Sequence, residues 1–474
     1  MPNPPPDVPS KWHFPNAFTI LFALIVLVAG LTWIIPAGRY ARAPSELLGK
    51  DVPIAGTYAP TDATPQGFFD VIMAPIAGFY DPASYAANAI DVALFVLVIG
   101  GFIGVVTATG AIDTGIRRAM TGLKGREIWM IPFLMALFAL GGTTYGMAEE
   151  TLAFYGILIP VMIAAGYDAL VGVAVIMLGA GIGVLGSTIN AFSTVIASDA
   201  AGVSFAEGMG LRLVILGLTW LASVAFVMRY AARVKANPAQ SLVQDLHKGH
   251  LAHFGAAQQG AAFTGLHKIV LILFAATFAA MIWGVSVGGW WMAQMSALFL
   301  ISANCIGLIA RLGEVRLIEA FLGGAKDLLG VALVIGLARG IVVIMDAGQI
   351  TDTILHSAEV AVTGLPDAAF ISVIYLVEVG MSFFVPSTSG LAVLSMPILA
   401  PMGDFAGVPR SLVVTGFATA SGWVNLITPT SAVVMGGLAI GRVPYQRWLR
   451  FIWPLLLALT VIVMAALTLS TLIA

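Results

Sequence analysis

Few side chains in this sequence are equipped for chemistry, and most of those stand inside apolar stretches. Glu149 and Glu150 close the run Gly141-Gly142-Thr143-Thr144-Tyr145-Gly146-Met147-Ala148-Glu149-Glu150-Thr151. Adjacent carboxylates repel, so one of such a pair is driven to hold a proton, and the pair suits a cation, a proton or a basic substrate. Arg339 stands alone in the otherwise apolar stretch 328–345. Its guanidinium is built to clamp a carboxylate through two hydrogen bonds; the bland alternative is an ion pair with Glu378 or bonds to backbone carbonyls. Asp346 sits where a helix end in solvent would account for it. Ionisable groups within membrane segments are costly and usually functional.

Hydroxyls and amides form three further clusters. Pro386-Ser387-Thr388-Ser389-Gly390 interrupts one apolar stretch. Ser187-Thr188-Ile189-Asn190, followed by Ser193 and Thr194, divides a second. Ser421-Gly422-Trp423-Val424-Asn425, followed by Thr428-Pro429-Thr430-Ser431, divides a third, and Pro429 supplies no amide donor. Irregular backbone at membrane depth survives only where protein buries it or a cavity lines it. Carbonyls freed at such a break attract a cation, and a half-helix N-terminus offers amide donors to an anion. Each Ser or Thr taken alone is explained equally well by bonding back to its own helix, and each Gly by close helix contact. Four clusters in matched places are harder to explain that way.

The elements that hold these clusters follow from composition. The chain of 474 residues is 59% hydrophobic and 10% charged, against roughly 25% charged in soluble domains. Several stretches approach the roughly 20 apolar residues that cross a bilayer, among them 18–36, 92–109, 211–227, 269–285, 295–309, 328–345 and 451–473. The first is too long for a signal-peptide core and reads as a retained helix. No basic run of the kind nucleic acid needs is present. One cysteine, Cys305, excludes an intrachain disulfide and reads as core. His247, His250 and His253 have a spacing that suits a metal, but in a polar loop solvated side chains are expected.

Lys and Arg gather at 117–126, 229–268, 311–326 and 442–450, which by the positive-inside tendency are cytoplasmic. Segments 199–210 and 346–404 hold none, and 39–91 is net acidic; these go outside, with His356 in an outer loop. One threading satisfies all of them: a cytoplasmic N-terminus, about nine crossings, and two segments that enter and return on one side; in the first, the arms 130–140 and 152–165 are each too short to span. The second half echoes the first at an offset of about 236 residues, as from Gly100 and Gly104 to Gly336 and Gly340. Pro160 and Gly166 match Pro397 and Gly403, and Asn190 matches Asn425. The helix at 92–109 runs inward and its counterpart at 328–345 outward, so the repeats are inverted, a hallmark of secondary transporters. The expected fold is an all-α polytopic membrane protein with two inverted repeats, each carrying a re-entrant helical hairpin and an interrupted transmembrane helix. The expected divisions are a Pro-rich cytoplasmic tail 1–16, a first helix and external segment 17–89, repeat 1 at 90–228 with hairpin 128–165, a cytoplasmic linker 229–266, and a second half 267–474 with hairpin 368–403.

The hairpins, the Ser187-to-Asn190 interruption and the Trp423-to-Thr430 interruption resemble the YfcC group, related to the C4-dicarboxylate anaerobic carriers (DcuC) of the ion transporter superfamily, over nearly the whole chain. The resemblance implies a scaffold domain and a transport domain that moves as an elevator, in a homodimer. It also implies that a Ser-Asn-Thr-like motif at each hairpin and break holds sodium and substrate. The nearest matches here are Ser187, Thr188 and Asn190, and Asn425, Thr428 and Pro429; neither reads Ser-Asn-Thr itself. The group's name is linked to basic amino-acid exchange and the wider family to dicarboxylates.

The expected activity is secondary transport of a small carboxylate-containing metabolite across the cell membrane, with no enzymatic role. Sodium, protons or exchange would drive it, without another cofactor. Candidate substrate ligands are Thr143, Thr144, Glu150, Thr151, Asn190, Ser387, Thr388, Ser389, Asn425 and Thr428. Candidate coupling-ion ligands are Glu149, Glu150, Ser187, Thr188, Asn190, Ser421, Asn425 and Thr430, with sodium at the interrupted helices and Arg339 as carboxylate clamp. The partners are the substrate, membrane lipid and a second copy, not nucleic acid. A channel or a cation/proton antiporter is the alternative; a channel more often shows a ring of selectivity residues than an inverted duplication. An enzyme would need a motif such as His-Glu-x-x-His, which is absent.

Overall fold

The computed structural model describes residues 15, 17–45, 50–112, 114–115, 118, 126–254 and 263–472. Most of the head 1–16 and of the basic segment 117–126 lies outside the described residues. The rest is built almost wholly of helices. Among the described residues, eight are long and apolar enough to cross a membrane: Ile90–Ala108, Glu127–Thr144, Met209–Ala236, Gly265–Val285, Met292–Ile309, Leu329–Ala347, Asp367–Phe384 and Tyr445–Thr471.

Six of these coincide with expected crossings. The other two, Glu127–Thr144 and Asp367–Phe384, are the leading arms of the expected hairpins. The first is expected to be too short to span and is not, because a 3₁₀ turn at Glu127–Trp129 extends it; the second starts at Asp367. The three remaining expected crossings are built from shorter pieces. The first helix ends at Leu31 rather than 36. The two interrupted helices are Ala169–Leu185 with Ile196–Ala201, and Arg410–Val424 with Ala432–Ile440.

Three segments read as loops carry structure. Residues 38–60 form two small antiparallel ladders, Gly38–Arg39 on Ala59–Pro60 and Arg42–Ser45 on Lys50–Pro53. The helix Thr351–Val362 lies beneath them: Tyr40 donates its hydroxyl to Glu359 (2.6 Å), Arg42 pairs with Asp352 (3.1 Å), and Tyr58 stacks on His356 with ring centroids 4.1 Å apart. His356 is therefore on a helix, not in a loop. In the linker, Met209–Ala236 runs on past residue 229 and a helix follows at His247–Phe254. His250 is buried, with Nε2 3.0 Å from the Arg442 carbonyl, so it is not solvated; among the described residues no group of His, Cys, Asp or Glu could hold a metal. Cys305 is exposed on an apolar helix, not core.

Contacts between helices come in matched pairs. The amphipathic helix Glu314–Asp327 lies on Ile90–Ala108, and Phe68–Ala77 lies on Leu329–Ala347. Both contacts are backbone-close: a Cβ on Gly324 would stand 2.1 Å from the Gly100 carbonyl, and one on Gly78 would stand 2.0 Å from that of Gly336. Ala17–Leu31 packs against Leu329–Ala347 as Met292–Ile309 does against Ile90–Ala108. Small residues at such crossings are how helices approach each other where lipid supplies no hydrophobic drive.

Segments assigned to one side by charge also meet one another. Lys235 bonds Glu127 (3.3 Å), Arg447 bonds Asp245 (3.2 Å), and Asp168 accepts the hydroxyls of Tyr230 and Ser241. Asp168 also caps Ala169–Leu185 by accepting from the Val171 amide (2.9 Å). Opposite them in the charge assignment, Arg410 reaches the Ala201 carbonyl (3.0 Å) and Trp291 donates to Asp91 (3.0 Å).

Candidate functional site

The clusters are placed by two helix–turn–helix segments that lean on the two interrupted helices. The leading arm Met130–Thr144 and return arm Leu152–Ala164 both pack on Ala169–Leu185. Gly142 and Gly183 make this possible: a Cβ on either would meet the Ala180 or Ala139 carbonyl at 2.3 or 2.2 Å. In the second unit, Asp367–Phe384 and Thr388–Phe405 pack on Arg410–Val424 and on each other.

The first break is stitched to the end of its leading arm. Thr188 donates its amide to the Thr143 hydroxyl (3.0 Å) and its own hydroxyl to the Thr143 carbonyl (3.2 Å). Asn190 donates Nδ2 to the Gly142 carbonyl (3.2 Å), while its Oδ1 accepts from the Phe192 amide (2.9 Å) and caps a five-residue π-helical turn, Ala191–Val195. Single π turns recur at functional sites. Ser187 and Thr194 bond each other, and Thr194 also donates to the Ser187 carbonyl (2.9 Å). Ser187, Thr188, Asn190, Thr143 and Thr194 are all buried. Gly146 has φ of +81°, and a Cβ there would stand 2.6 Å from Asn190 Oδ1, so the turn requires glycine.

The tip carries the acids. Glu150 is buried and accepts from the Ala148 amide (3.0 Å); Glu149 is partly exposed. Thr151 and Thr144 bond back to the Ala148 and Leu140 carbonyls. For those two hydroxyls the bland reading describes the geometry.

The second break is held similarly but not identically. Thr430 donates to the Phe383 carbonyl (3.0 Å) and bonds Thr428 (2.7 Å); Thr388 bonds Ser421 (3.0 Å) and accepts from Asn425 (3.5 Å). Ser387 caps its return arm by accepting from Gly390 (3.2 Å), and Ser389 has no hydrogen bond among the described residues. Carbonyls freed at this break are already engaged: Leu426 accepts from Trp448 Nε1 (2.9 Å) and Ile427 from the Tyr445 hydroxyl (2.5 Å). A carbonyl has two lone pairs, so a cation would share these oxygens with the last helix.

The two breaks meet. A Cβ on Gly422 would stand 2.3 Å from Leu185 Cα, and one on Gly181 2.3 Å from Leu426. The acidic turn Glu149–Thr151 contacts Ala432–Ile440, and the return arm Thr388–Phe405 contacts the π turn. The acidic tip therefore faces the second unit's broken helix, and the second hairpin's return arm faces the first unit's π turn. Among the described residues the Arg339 side chain makes no hydrogen bond or ion pair, with Glu378 or with any candidate ligand. Tyr145 and Ser193 were not singled out as ligands from sequence. Their hydroxyls are buried beside the first break without a hydrogen-bond partner among the described residues. Their place within two polar clusters was the available signal.

Buried polar clusters at helix breaks inside a many-helix apolar chain define a polytopic membrane transporter. The chain belongs to the C4-dicarboxylate anaerobic carrier family, DcuC, whose sequence profile matches residues 14–472. It is 37% identical to an uncharacterised protein of Haemophilus influenzae, over 94% of each chain. It is 33% identical, over 93% of each chain, to an Escherichia coli protein given the provisional name of basic amino acid antiporter YfcC. Among solved structures, Neisseria gonorrhoeae MtrF, described as one of a class of antimetabolite efflux pumps, aligns over 96% of this chain and 95% of its own at 16% identity and a TM-score of 0.44.

Proposed function

We propose that this protein is a secondary active transporter for a small carboxylate-containing metabolite, an amino acid or a dicarboxylate, working by an elevator movement in the cell membrane with its N-terminus cytoplasmic. The observation that carries the reading is the meeting of two helix breaks, with the acidic hairpin tip against one unit's broken helix and the other hairpin's return arm against the opposite break. A solute held there touches both halves of the chain. The matched helix pairs support an inverted duplication, and the sorting of polar contacts into two sets supports the sidedness. The substrate ligands are Thr143, Asn190, Thr388 and Asn425, with Glu150 of the acidic tip, and Tyr145 and Ser193 join them. Ser187, Thr188, Ser421, Thr428 and Thr430 line the breaks where a coupling sodium or proton binds. An acidic tip facing a neutral, hydroxyl-rich one suits a substrate with both an amine and a carboxylate, which favours an amino acid. The homodimer implied by the family resemblance is carried with this reading.

The test is uptake of labelled arginine, ornithine, glutamate and succinate into proteoliposomes, with sodium gradient, proton gradient and internal counter-substrate imposed separately. Saturable uptake of at least one solute, driven by one of the three, is expected. Absence of uptake under all three, or a current that does not saturate, refutes it.

A further inference from the structure

Glu378 has no role in the site above, and its surroundings are unusual. It lies in the leading arm Asp367–Phe384, six residues before that helix ends, so about 9 Å along the axis from the turn that carries Thr388. Its side chain is wholly buried, and neither carboxyl oxygen has a hydrogen-bond partner among the described residues. Tyr375 and Ser382, three residues before and four after, occupy the same helix face. Both are buried, and their hydroxyls likewise have no partner among the described residues. Across the hairpin, the Ser395 hydroxyl lies toward Glu378 but is given to the Leu391 carbonyl (3.0 Å).

Among the described residues no cation offsets the carboxyl. Four helices pack on this arm: Thr351–Val362, Thr388–Phe405, Arg410–Val424 and Tyr445–Thr471. Their ionisable groups are Asp352, His356, Glu359, Asp404, Arg410, Tyr445, Arg447 and Arg450, to which the arm itself adds Asp367 and Tyr375. Asp352 pairs with Arg42, His356 with Glu359, Asp404 with Arg410 and Arg447 with Asp245. None of them bonds or pairs with Glu378. An isolated carboxylate in such a place is far more costly than its neutral acid.

We propose that Glu378 is a proton-carrying site of the transport cycle, lodged inside the second hairpin and separate from the acidic pair at the first. In this conformation the carboxyl is neutral and keeps its proton. When the hairpin shifts so that water reaches the arm, the O–H bond breaks, the proton passes to water, and the anion is solvated. The anion passes back through the buried position only where the cationic group of a bound solute offsets its charge, and it takes up a proton from water once the hairpin has opened to the other side. Release on one side and uptake on the other move one proton across per cycle. The first unit has nothing equivalent: the spacing that matches Pro160 and Gly166 of the first hairpin to Pro397 and Gly403 of the second brings Glu378 onto Gly141, so proton carriage is confined to one half.

This inference rests on the transporter reading, and its test separates the two. Glu378→Gln keeps the neutral shape and cannot release a proton. In proteoliposomes, proton-gradient-driven uptake of the four labelled solutes is expected to fall to the level of protein-free vesicles, while counter-exchange under equal pH persists. Wild-type proton-driven uptake in Glu378→Gln overturns the proposal and leaves the transporter reading intact. The infrared spectrum of the purified protein in lipid, without solute, is the second measurement. A carboxylic-acid carbonyl band at neutral pH that is lost in Glu378→Gln supports a protonated Glu378, even if none of the four solutes is carried. A spectrum unchanged by the substitution overturns it.

Discussion

Asn190 does two jobs that can be measured apart. Its Oδ1 caps the π turn through the Phe192 amide, and its Nδ2 ties the break to the Gly142 carbonyl of the leading arm. Loss of a side-chain cap costs about 1 kcal/mol, and an interhelical hydrogen bond within a membrane protein contributes about 0.6 kcal/mol. Asn190→Ala is therefore expected to destabilise by about 1.5 kcal/mol, and Asn190→Ser, which restores the cap alone, by about 0.6 kcal/mol. Gly146 supplies an independent check, because a Cβ there meets Asn190 Oδ1 at 2.6 Å and Phe192 Cδ2 at 2.9 Å. Gly146→Ala carries about 1–2 kcal/mol for its left-handed backbone and about 1–3 kcal/mol for the overlap. With residue 190 reduced to Ala, part of the overlap disappears while the backbone term stays. The double variant is expected to be less destabilised than the sum of the singles by about 1 kcal/mol. Reversible unfolding in mixed detergent–lipid micelles gives all four corners of the cycle. Costs additive to within about 0.5 kcal/mol, or an Asn190→Ala variant as stable as the parent, refute this geometry.

Other consequences are more quickly stated. Gly324→Leu drives a side chain into the Gly100 carbonyl and is expected to cost about 1–3 kcal/mol, read as a lower unfolding midpoint; Gly323→Leu, with open space around it, is the control. Asp404 is held below the ordinary carboxylate range by its hydrogen bonds to Arg410. A depressed folded value means that the pair stabilises above the unfolded value and that this stability is lost as pH falls through the folded one. The pair is exposed, so Arg410→Gln is expected to remove at most about 1 kcal/mol at neutral pH, with the difference from the parent vanishing in strong acid. Arg339→Gln is expected to leave the Michaelis constant for uptake nearly unchanged, since the guanidinium bonds to no candidate ligand; a large rise restores the clamp assigned from sequence.

The polar interruptions were legible because they violate the composition of their surroundings. Both helix breaks stand out in the sequence as polar clusters, and Ser187, Thr188 and Asn190 gather with Thr143 at one junction. Charge within an apolar run marks Arg339 as costly but does not say what it faces. Glu314–Asp327 was hidden because it lies in a basic segment, where charge sidedness dominates the reading. The ladders at 38–60 are too short to show an alternating pattern. The first hairpin's leading arm is underestimated because its apolar run is cut at polar residues, whereas Thr143 and Thr144 continue the helix by bonding their own backbone or the next break.

The two glycine crossings have a consequence for how the chain is made. Gly78 finds its neighbour at Gly336, and Gly100 finds its own at Gly324, so each half lends a short helix to the other. The halves are clasped rather than juxtaposed. During synthesis the first half leaves the ribosome with helix Phe68–Ala77 touching only Ala17–Leu31 and without its main partner until the region of Gly340 is inserted, some 260 residues later. Cutting the linker would yield two fragments, neither with a closed interior of its own. An assembly of this kind is committed only when its last third arrives, and damage to either crossing is felt on both sides of the molecule.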